Sequence, residues 1–207
     1  MKDQHNDWQQ SNAQVFWGEI APCSHVVQIY ESDEVFIATL LEFIIGGIKA
    51  GDCVIVIATA EHLNALNTQL RNLKFDVERL IADDQYLPLD AEETLAKFMK
   101  NDWPDEILFR LTIAGIIARA HRKNRKVRAF GEMVALLWAK GNNGATIRLE
   151  YLWNRFCETE SFCLYCAYPQ SGFLRDAKTS VQHICSTHSK MIGGWEKSSV
   201  HIYHRSA

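Results

Sequence analysis

Residues 25–59 read HVVQIYESDEVFIATLLEFIIGGIKAGDCVIVIAT, and this stretch decides the fold. Two apolar segments rich in β-branched residues, His25–Tyr30 and Cys53–Ala58, predict buried parallel strands, because helices cover both faces of such strands. Between them, Ser32 or Asp33 can cap a long apolar helix that ends at a glycine, a common residue after a helix C-terminus. The stretch therefore predicts a strand–helix–strand unit, the building block of an α/β protein.

The rest of the chain continues this alternation of strands and helices. Further strands are predicted near residues 78–82, 127–130 and 161–168, and further helices at 61–73, from 91, and at 104–123, 133–139, 145–158 and 179–191. Strands that alternate with helices of about 10–15 residues indicate a three-layer α/β sandwich with a mostly parallel central sheet. We expect a loose N-terminal arm over residues 1–20, one domain over 21–192 and a C-terminal tail over 193–207.

The composition is that of an ordinary globular protein. The 207 residues are 47% hydrophobic and carry a formal net charge of −3, which gives no general attraction to nucleic acid or to an anionic membrane. No run of about 18 apolar residues is present, so we expect no membrane-spanning helix. Six cysteines without a preceding apolar signal segment favour free thiols in a reducing cytoplasm.

The ends of the predicted strands indicate a ligand site. In open parallel sheets, ligands bind beyond the carboxyl ends of the strands. The sequence places aromatic, hydroxyl and acidic side chains and one histidine there, without a basic residue: Tyr30, Glu31, Ser32, Thr59, His62, Glu132 and Tyr168. Such a rim suits a neutral or cationic small molecule, or a metal-bound one, better than a nucleoside triphosphate. His25, which starts its strand, is expected at the opposite edge and outside the site.

Several of these residues also have a purely structural interpretation. In this interpretation Ser32 is simply a helix cap, and the two tyrosines are half-buried aromatics at strand ends. Glu132 follows a buried strand, where a carboxylate needs a hydrogen-bond partner or water. Other residues either line the pocket or belong to the core, namely Glu150 and Asn154 on one helix and Cys185 and His188 on another.

Six segments, taken in order, resemble one protein family: HVVQIYES, FIIGGIKAGDCVIVIAT, RAFGEMVALLWAKGN, RLEYLWN, FCLYCAYP and ICSTHS. Together they are similar to the MEDS domain, the methanogen/methylotroph sensory domain of the DcmR regulator and of many bacterial histidine kinases. The resemblance covers roughly residues 22–192 and implies a RecA/KaiC-like fold. It also implies a non-enzymatic sensor of small organic compounds, hydrocarbon derivatives among them, that relays its signal to a partner protein.

Within that resemblance, the phosphate loop of the ATPases falls on residues 30–34 and their acidic strand end falls on Glu132. The turn lacks the glycines and the lysine that hold phosphate, so we expect no ATP hydrolysis. The alternative is a divergent KaiC-like ATPase that takes phosphate contacts from Lys49, from Arg128 or from a neighbouring subunit. A histidine kinase or transcriptional regulator is expected to act in trans, and a homo-oligomer is left open.

A third hypothesis is a zinc-stabilised interaction module. Its ligands would be the C-x2-C and C-x2-H pairs formed by Cys163, Cys166, Cys185 and His188. Residues three apart on a strand point to opposite faces, which argues against a shared ion for the first two. The basic run at residues 119–128 is interpreted as a solvated helix end, with a docking surface for an acidic partner or nucleic acid as the alternative. No cofactor is identified from the sequence.

Overall fold

The computed structural model describes residues 8–11, 25–173, 184, 188, 190–193 and 201–205. Its strands are β1 (Trp8–Ser11), β2 (His25–Tyr30), β3 (Cys53–Ala58), β4 (Tyr86–Asp90), β5 (Met99–Lys100), β6 (Trp103–Pro104), β7 (Val127–Gly131), β8 (Phe162–Pro169), β9 (Lys190–Gly193) and β10 (His201–Arg205). Its helices are α1 (Asp33–Ala50), α2 (Ala60–Asn72), α3 (Val77–Ala82), α4 (Ala91–Ala96), α5 (Glu106–His121), α6 (Met133–Ala139) and α7 (Asn143–Thr159), followed by a 3₁₀ turn at Gln170–Phe173.

One eight-stranded sheet organises the protein, in the order β1-β10-β9-β2-β8-β7-β3-β4. The five strands β2, β8, β7, β3 and β4 are parallel to their neighbours, and β9 joins β2 in parallel as well. β10 and β1 extend the same sheet through antiparallel pairing. The predicted α/β sandwich with a mostly parallel sheet is confirmed.

Side chains of the central strands alternate between two hydrophobic cores, one on each face of the sheet. Val54, Val56 and Ala58 pack with α1, α2 and α3 on the first face. Cys53, Ile55 and Ile57 pack with α4, α5, α6 and α7 on the second. All six positions are buried, which explains why β3 reads as a continuous apolar run. We call the two sides the α1 face and the α7 face.

One predicted strand is a helix, and the strand of that region lies further along the chain. Residues 77–82 form α3 instead of a strand, because Asp76 caps Arg79 N at 3.0 Å and the apolar residues there follow a helical spacing. The strand comes later, as β4, and it contains Pro88. Because β4 is the last strand of the sheet, a proline there costs less hydrogen bonding than in a central strand.

The two ends of the chain also differ from the prediction. Strands β1 and β10 lie in the segments expected to be an arm and a tail, and both belong to the sheet. The predicted helix at 179–191 is helical at Ile184, whereas Lys190–Gly193 is strand β9. Polar sequences such as HIYHR form strands here through backbone pairing, which apolar patterning does not report.

Helix α1 comes unusually close to the sheet at Gly47. A Cβ atom at this position would lie 2.5 Å from Cγ2 of Val54 and 2.7 Å from Cδ of Arg128, so only glycine fits without rearrangement. The Arg128 guanidinium is buried beneath it and donates from Nε to Oδ2 of Asp52 at 3.0 Å. This ion pair joins the start of β3 to β7.

Acidic partners neutralise much of the basic run at residues 119–128. Arg119 pairs with Asp84 at 2.7 Å, and Lys123 and Arg125 both pair with Asp83. These hydrogen bonds lower the pKa of the Asp83 carboxyl to about 2. The interpretation of this basic run as a solvated helix end is therefore corrected, because several of its side chains form ion pairs with the loop before β4.

None of the helices in the described part of the chain is both long enough and apolar enough to cross a membrane.

Candidate functional site

Four of the predicted site residues meet at the carboxyl edge of the sheet: Tyr30, Thr59, His62 and Glu132. Tyr30 ends β2, Thr59 follows β3, His62 lies in the first turn of α2, and Glu132 follows β7. The backbone amide of Glu132 donates to the carbonyl of Ile57 at 2.9 Å, which fixes the carboxylate beside the end of β3. We call this group the carboxyl-edge cluster.

A hydrogen-bonded carboxylate is the centre of the carboxyl-edge cluster. His62 Nδ1 lies 2.8 Å from Oε1 and 3.0 Å from Oε2 of Glu132, so this nitrogen carries a proton and donates it. The amide of Thr59 donates to Oε2 at 2.9 Å. The Thr59 hydroxyl in turn accepts from the His62 amide at 3.4 Å and caps α2. The buried carboxylate thus has the partners that its position after a buried strand demands.

Negatively charged groups in and around the carboxyl-edge cluster raise the pKa values of His62 and Tyr30. The hydrogen bond that His62 donates to Glu132 raises the pKa of His62, against the opposing effect of burial, and the charges of Glu132, Asp33 and Glu61 add to the increase. Burial raises the pKa of Tyr30 well above its ordinary value, and the charges of Glu132 and Asp33 act in the same direction. The ring of His62 is therefore held towards its cationic form, and the phenol stays protonated.

Aromatic rings pack against His62, and exposed acidic residues follow Tyr30 in the next turn. The ring of Tyr30 stacks on Phe36 at 4.7 Å, and Phe36 meets the ring of His62 edge-on at 5.0 Å. Beside them, Glu31 and Ser32 are exposed in the turn after β2, as are the first two helical residues, both acidic. Ser32 caps α1 by accepting from Val35 N at 3.4 Å. This turn has helix-capping geometry where the ATPases have their phosphate loop.

A second group of predicted residues lies on the α7 face and includes one residue that the sequence analysis excluded. We call it the buried cluster: His25, Glu150, Cys166, Tyr168 and His188. All five are almost fully buried. Glu150 comes from α7, Cys166 and Tyr168 from β8, and His25 from the first position of β2. His188 comes from the chain between Ile184 and β9.

The polar atoms of the buried cluster converge on the Glu150 carboxylate. Oε2 of Glu150 lies 3.4 Å from Nε2 of His25 and 3.5 Å from Nε2 of His188. Oε1 accepts a hydrogen bond from the Tyr168 hydroxyl. Burial raises the pKa of Glu150, while the charge of His188 and the bond from Tyr168 oppose the increase. A carboxylate in this position requires positive charge nearby.

The two groups lie on opposite faces of the sheet, so the single crevice expected from the strand-end rule is wrong. Tyr168 points to the α7 face and binds Glu150, whereas Tyr30 points to the α1 face. His25 does start its strand, yet its imidazole lies 3.5 Å from the Cys166 sulfur. His25 lies outside the carboxyl-edge cluster, as expected, but it belongs to the buried cluster, because its side chain reaches residues further along the neighbouring strand.

The proposed zinc quartet is not assembled. Cys163 belongs to the core of the α1 face and Cys166 to that of the α7 face, as the strand alternation predicts. Cys185 lies outside the described residues. Asn154, one helical turn after Glu150, is half-buried and makes none of the described hydrogen bonds of the buried cluster.

A cleft of about 460 Å³ lies at the amino edge of the sheet, away from the carboxyl-edge cluster. Its walls include Asp52, Lys126, Arg128 and Cys163. Lys49, in the last turn of α1, and Arg128, near the start of β7, belong to this same edge. The two basic residues that the ATPase alternative named therefore lie at the wrong end of the sheet to reach residues 30–34, which leaves a neighbouring subunit as its source of phosphate contacts.

Comparison with known proteins agrees with this architecture. The chain is similar in fold to the KaiC-like protein of the hyperthermophilic archaeon Pyrococcus horikoshii OT3, with a TM-score of 0.60 and 10% identity over 89% of this chain and 80% of that one. No curated protein matches the chain. The family model described as MEthanogen/methylotroph, DcmR Sensory domain matches residues 24–189, most of the chain. The protein belongs to the MEDS family of sensory domains.

Proposed function

We propose that the protein is a non-enzymatic sensory domain that binds a small neutral or cationic organic molecule at the carboxyl-edge cluster. One observation carries this proposal: the Glu132 carboxylate is held by His62 and the Thr59 amide at the edge where open parallel sheets bind ligands. Membership of a sensory family supports a signalling role over a catalytic one.

The chemistry around Glu132 defines the class of ligand. Carboxylates and a hydroxyl offer hydrogen-bond acceptors, while the rings of Tyr30 and Phe36 are buried in the core beside them. The negative charges of the turn after β2 and of Glu132 repel anions. We therefore expect alkylamines and small alcohols to bind better than carboxylates or phosphates.

The same contacts provide a route for the signal. Glu132 directly precedes α6, and His62 belongs to the first turn of α2. A ligand that takes over the hydrogen bond between them would separate these two helix starts. Such a change carries information only if the ligand binds one arrangement better than the other. The output would pass to a partner of the histidine kinase or transcriptional regulator class.

A charge series of similar size tests the ligand class. Trimethylammonium, tert-butanol and pivalate share three methyl groups and differ in charge, and Mg-ATP tests the nucleotide alternative. We expect the melting temperature to rise with trimethylammonium, less with tert-butanol, and not with pivalate or Mg-ATP. His62→Gln and Glu132→Gln should remove the response. Glu61→Gln, an exposed acid next to His62, should keep it and serves as the matched control.

Three results would overturn the proposal. Tight, magnesium-dependent binding of ATP would favour the ATPase. A response to the ligands that is lost in Lys126→Ala, in the amino-edge cleft, and kept in His62→Gln would move the site to the other edge. An unchanged melting temperature with every compound of the series would remove the predicted ligand class.

A further inference from the structure

The buried cluster brings four metal-binding side chains together. One nitrogen each from His25 and His188, the sulfur of Cys166 and an oxygen of Glu150 all lie within 4.8 Å of one another. From these contacts we propose that the protein binds one divalent transition-metal ion, Zn²⁺ foremost, with these four residues as tetrahedral ligands. This site is separate from the carboxyl-edge cluster. It shares Cys166 and His188 with the zinc-like pattern of the sequence, and His25 and Glu150 take the places of the two other cysteines.

The separations between donor atoms fit tetrahedral coordination. Metal bonds of about 2.0–2.1 Å to nitrogen or oxygen and about 2.3 Å to sulfur place tetrahedral ligands roughly 3.4 Å apart for N and O, and roughly 3.6 Å apart for N and S. Glu150 Oε2 lies 3.4 Å from His25 Nε2 and 3.5 Å from His188 Nε2. Cys166 Sγ lies 3.5 Å from His25 Nε2. Three edges of the tetrahedron are already at the lengths that an ion requires.

The orientation of His188 leaves its Nε2 facing the carboxylate as an acceptor. Nδ1 of His188 lies 2.6 Å from the carbonyl oxygen of Ile184, which only accepts, so Nδ1 carries a proton and donates. A metal-binding imidazole is neutral, and in the neutral ring Nε2 is then a lone pair directed at another acceptor, Glu150 Oε2, 3.5 Å away. A cation between them removes the repulsion. A backbone carbonyl on the distal nitrogen is also the usual way in which proteins orient a metal-binding histidine.

Charge balance supports a divalent ion. Two neutral imidazoles, one thiolate and one carboxylate carry two negative charges, which a divalent ion neutralises. This matters because all four ligands are buried, and an uncompensated charge in such a place is strongly unfavourable. Nitrogen and sulfur ligands favour zinc over magnesium or calcium, which prefer oxygen. The Tyr168 hydroxyl holds the remaining oxygen of Glu150 and so fixes the carboxylate for binding.

The position of the site indicates a structural ion. Its ligands fill the four tetrahedral positions from protein, which is typical of structural zinc, whereas catalytic zinc keeps one position open. They come from β2, α7, β8 and the segment before β9, and so join parts of the chain that are distant in sequence. Metal binding should therefore stabilise the sheet between β2 and β8 and leave ligand recognition at the other face intact.

Metal reconstitution tests the proposal directly. The full chain, stripped with a chelator, is titrated with Zn²⁺ under reducing conditions, and bound metal is measured by elemental analysis. We expect about one ion per chain and a higher melting temperature. Co²⁺ in place of Zn²⁺ should give visible absorption together with a thiolate-to-metal charge-transfer band, because one ligand is sulfur.

The strand alternation of β8 supplies a matched control. Cys166→Ser should weaken Zn²⁺ binding at least about tenfold and abolish the charge-transfer band, and Tyr168→Phe should weaken binding by about 10- to 100-fold. Cys163→Ser removes a buried thiol from the same strand on the opposite face and should leave both readouts unchanged. If Cys166→Ser does not fold, the wild-type stoichiometry and cobalt spectrum still decide the question. Failure of the stripped protein to bind Zn²⁺, or equal losses in both cysteine variants, would overturn the proposal.

Discussion

Replacing Glu132 by glutamine tests the chemistry of the carboxyl-edge cluster. The carboxylate accepts from His62 at 2.8 Å and from the Thr59 amide at 2.9 Å, and a glutamine side chain has only one oxygen to serve both donors. A hydrogen bond to a charged group contributes about 1.5–3 kcal/mol. We expect Glu132→Gln to lower the free energy of unfolding by that amount near pH 6. We also expect the pKa of His62 to fall, because burial of the ring then acts without its counterion.

The pH dependence has a definite sign. The pKa of His62 is raised in the folded protein, so its contribution to stability is complete below the unfolded value of about 6.5 and is lost as the pH rises through the folded value. The stability difference between wild type and Glu132→Gln should therefore shrink above pH 6.5. Above that range, the neutral ring of His62 still donates an uncharged hydrogen bond.

Two measurements check this prediction. Nuclear magnetic resonance gives the pKa of His62, and urea unfolding at several pH values gives the free energies, with His62→Gln completing a double-mutant cycle. Glu61→Gln is the control, because Glu61 is exposed and makes the smallest of the contributions that raise the pKa of His62. If Glu61→Gln lowered that pKa as much as Glu132→Gln does, the direct bond would not be the cause and the reasoning would be refuted.

Four further substitutions test the packing and the charges elsewhere. Gly47→Ala should destabilise the protein by about 1–3 kcal/mol through overpacking. Gly115→Ala, on the exposed side of α5 with open space around it, should stabilise the protein by up to about 1 kcal/mol. Urea midpoints compare the two variants, and a change of the same sign in both would contradict the close approach of α1 to the sheet. Asp52→Asn should cost about 3–5 kcal/mol in the same assay because it leaves the buried guanidinium of Arg128 without its carboxylate, and a cost below 1 kcal/mol would argue that water reaches the pair. Asp83→Asn should reduce stability above pH 4, and the difference from wild type should vanish as the pH falls towards 2. The reason is that the lowered pKa of Asp83, about 2, makes its charge stabilising only above pH 2. A difference that stays constant with pH would contradict the ion pairs.

The elements of the fold that depend on neighbouring residues alone were predictable from the sequence. Strands β2 and β3 have continuous apolar sequences, and a capping side chain starts the helix between them, so neighbouring residues determine each of these elements. β4 was missed because Pro88 is unfavourable in a central strand and acceptable only at a sheet edge. The place of a strand in the sheet depends on distant pairing, which the local pattern does not contain. The same holds for β1 and β10.

The carboxyl-edge cluster was predictable from the sequence, whereas the buried cluster was predictable only in part. Tyr30, Thr59, His62 and Glu132 follow from the positions of strand ends, which the sequence does contain, and the structure brings them together. The buried cluster depends on which side chains share a face. Cys166 and Tyr168 are two residues apart on β8, and that spacing indicated a common face. The approach of His25 and Glu150 to that face depends on the order of strands and on the helix that covers them.

Strand β8 contributes to both faces of the sheet, with Cys163 and Tyr165 on one side and Cys166 and Tyr168 on the other. Because side chains alternate at every residue, deleting a single residue within β8 would exchange the two sets. The Tyr165 hydroxyl would leave Gln28, and the Cys166 sulfur would leave His25. Single-residue insertions and deletions in this strand are therefore incompatible with keeping both sets of contacts.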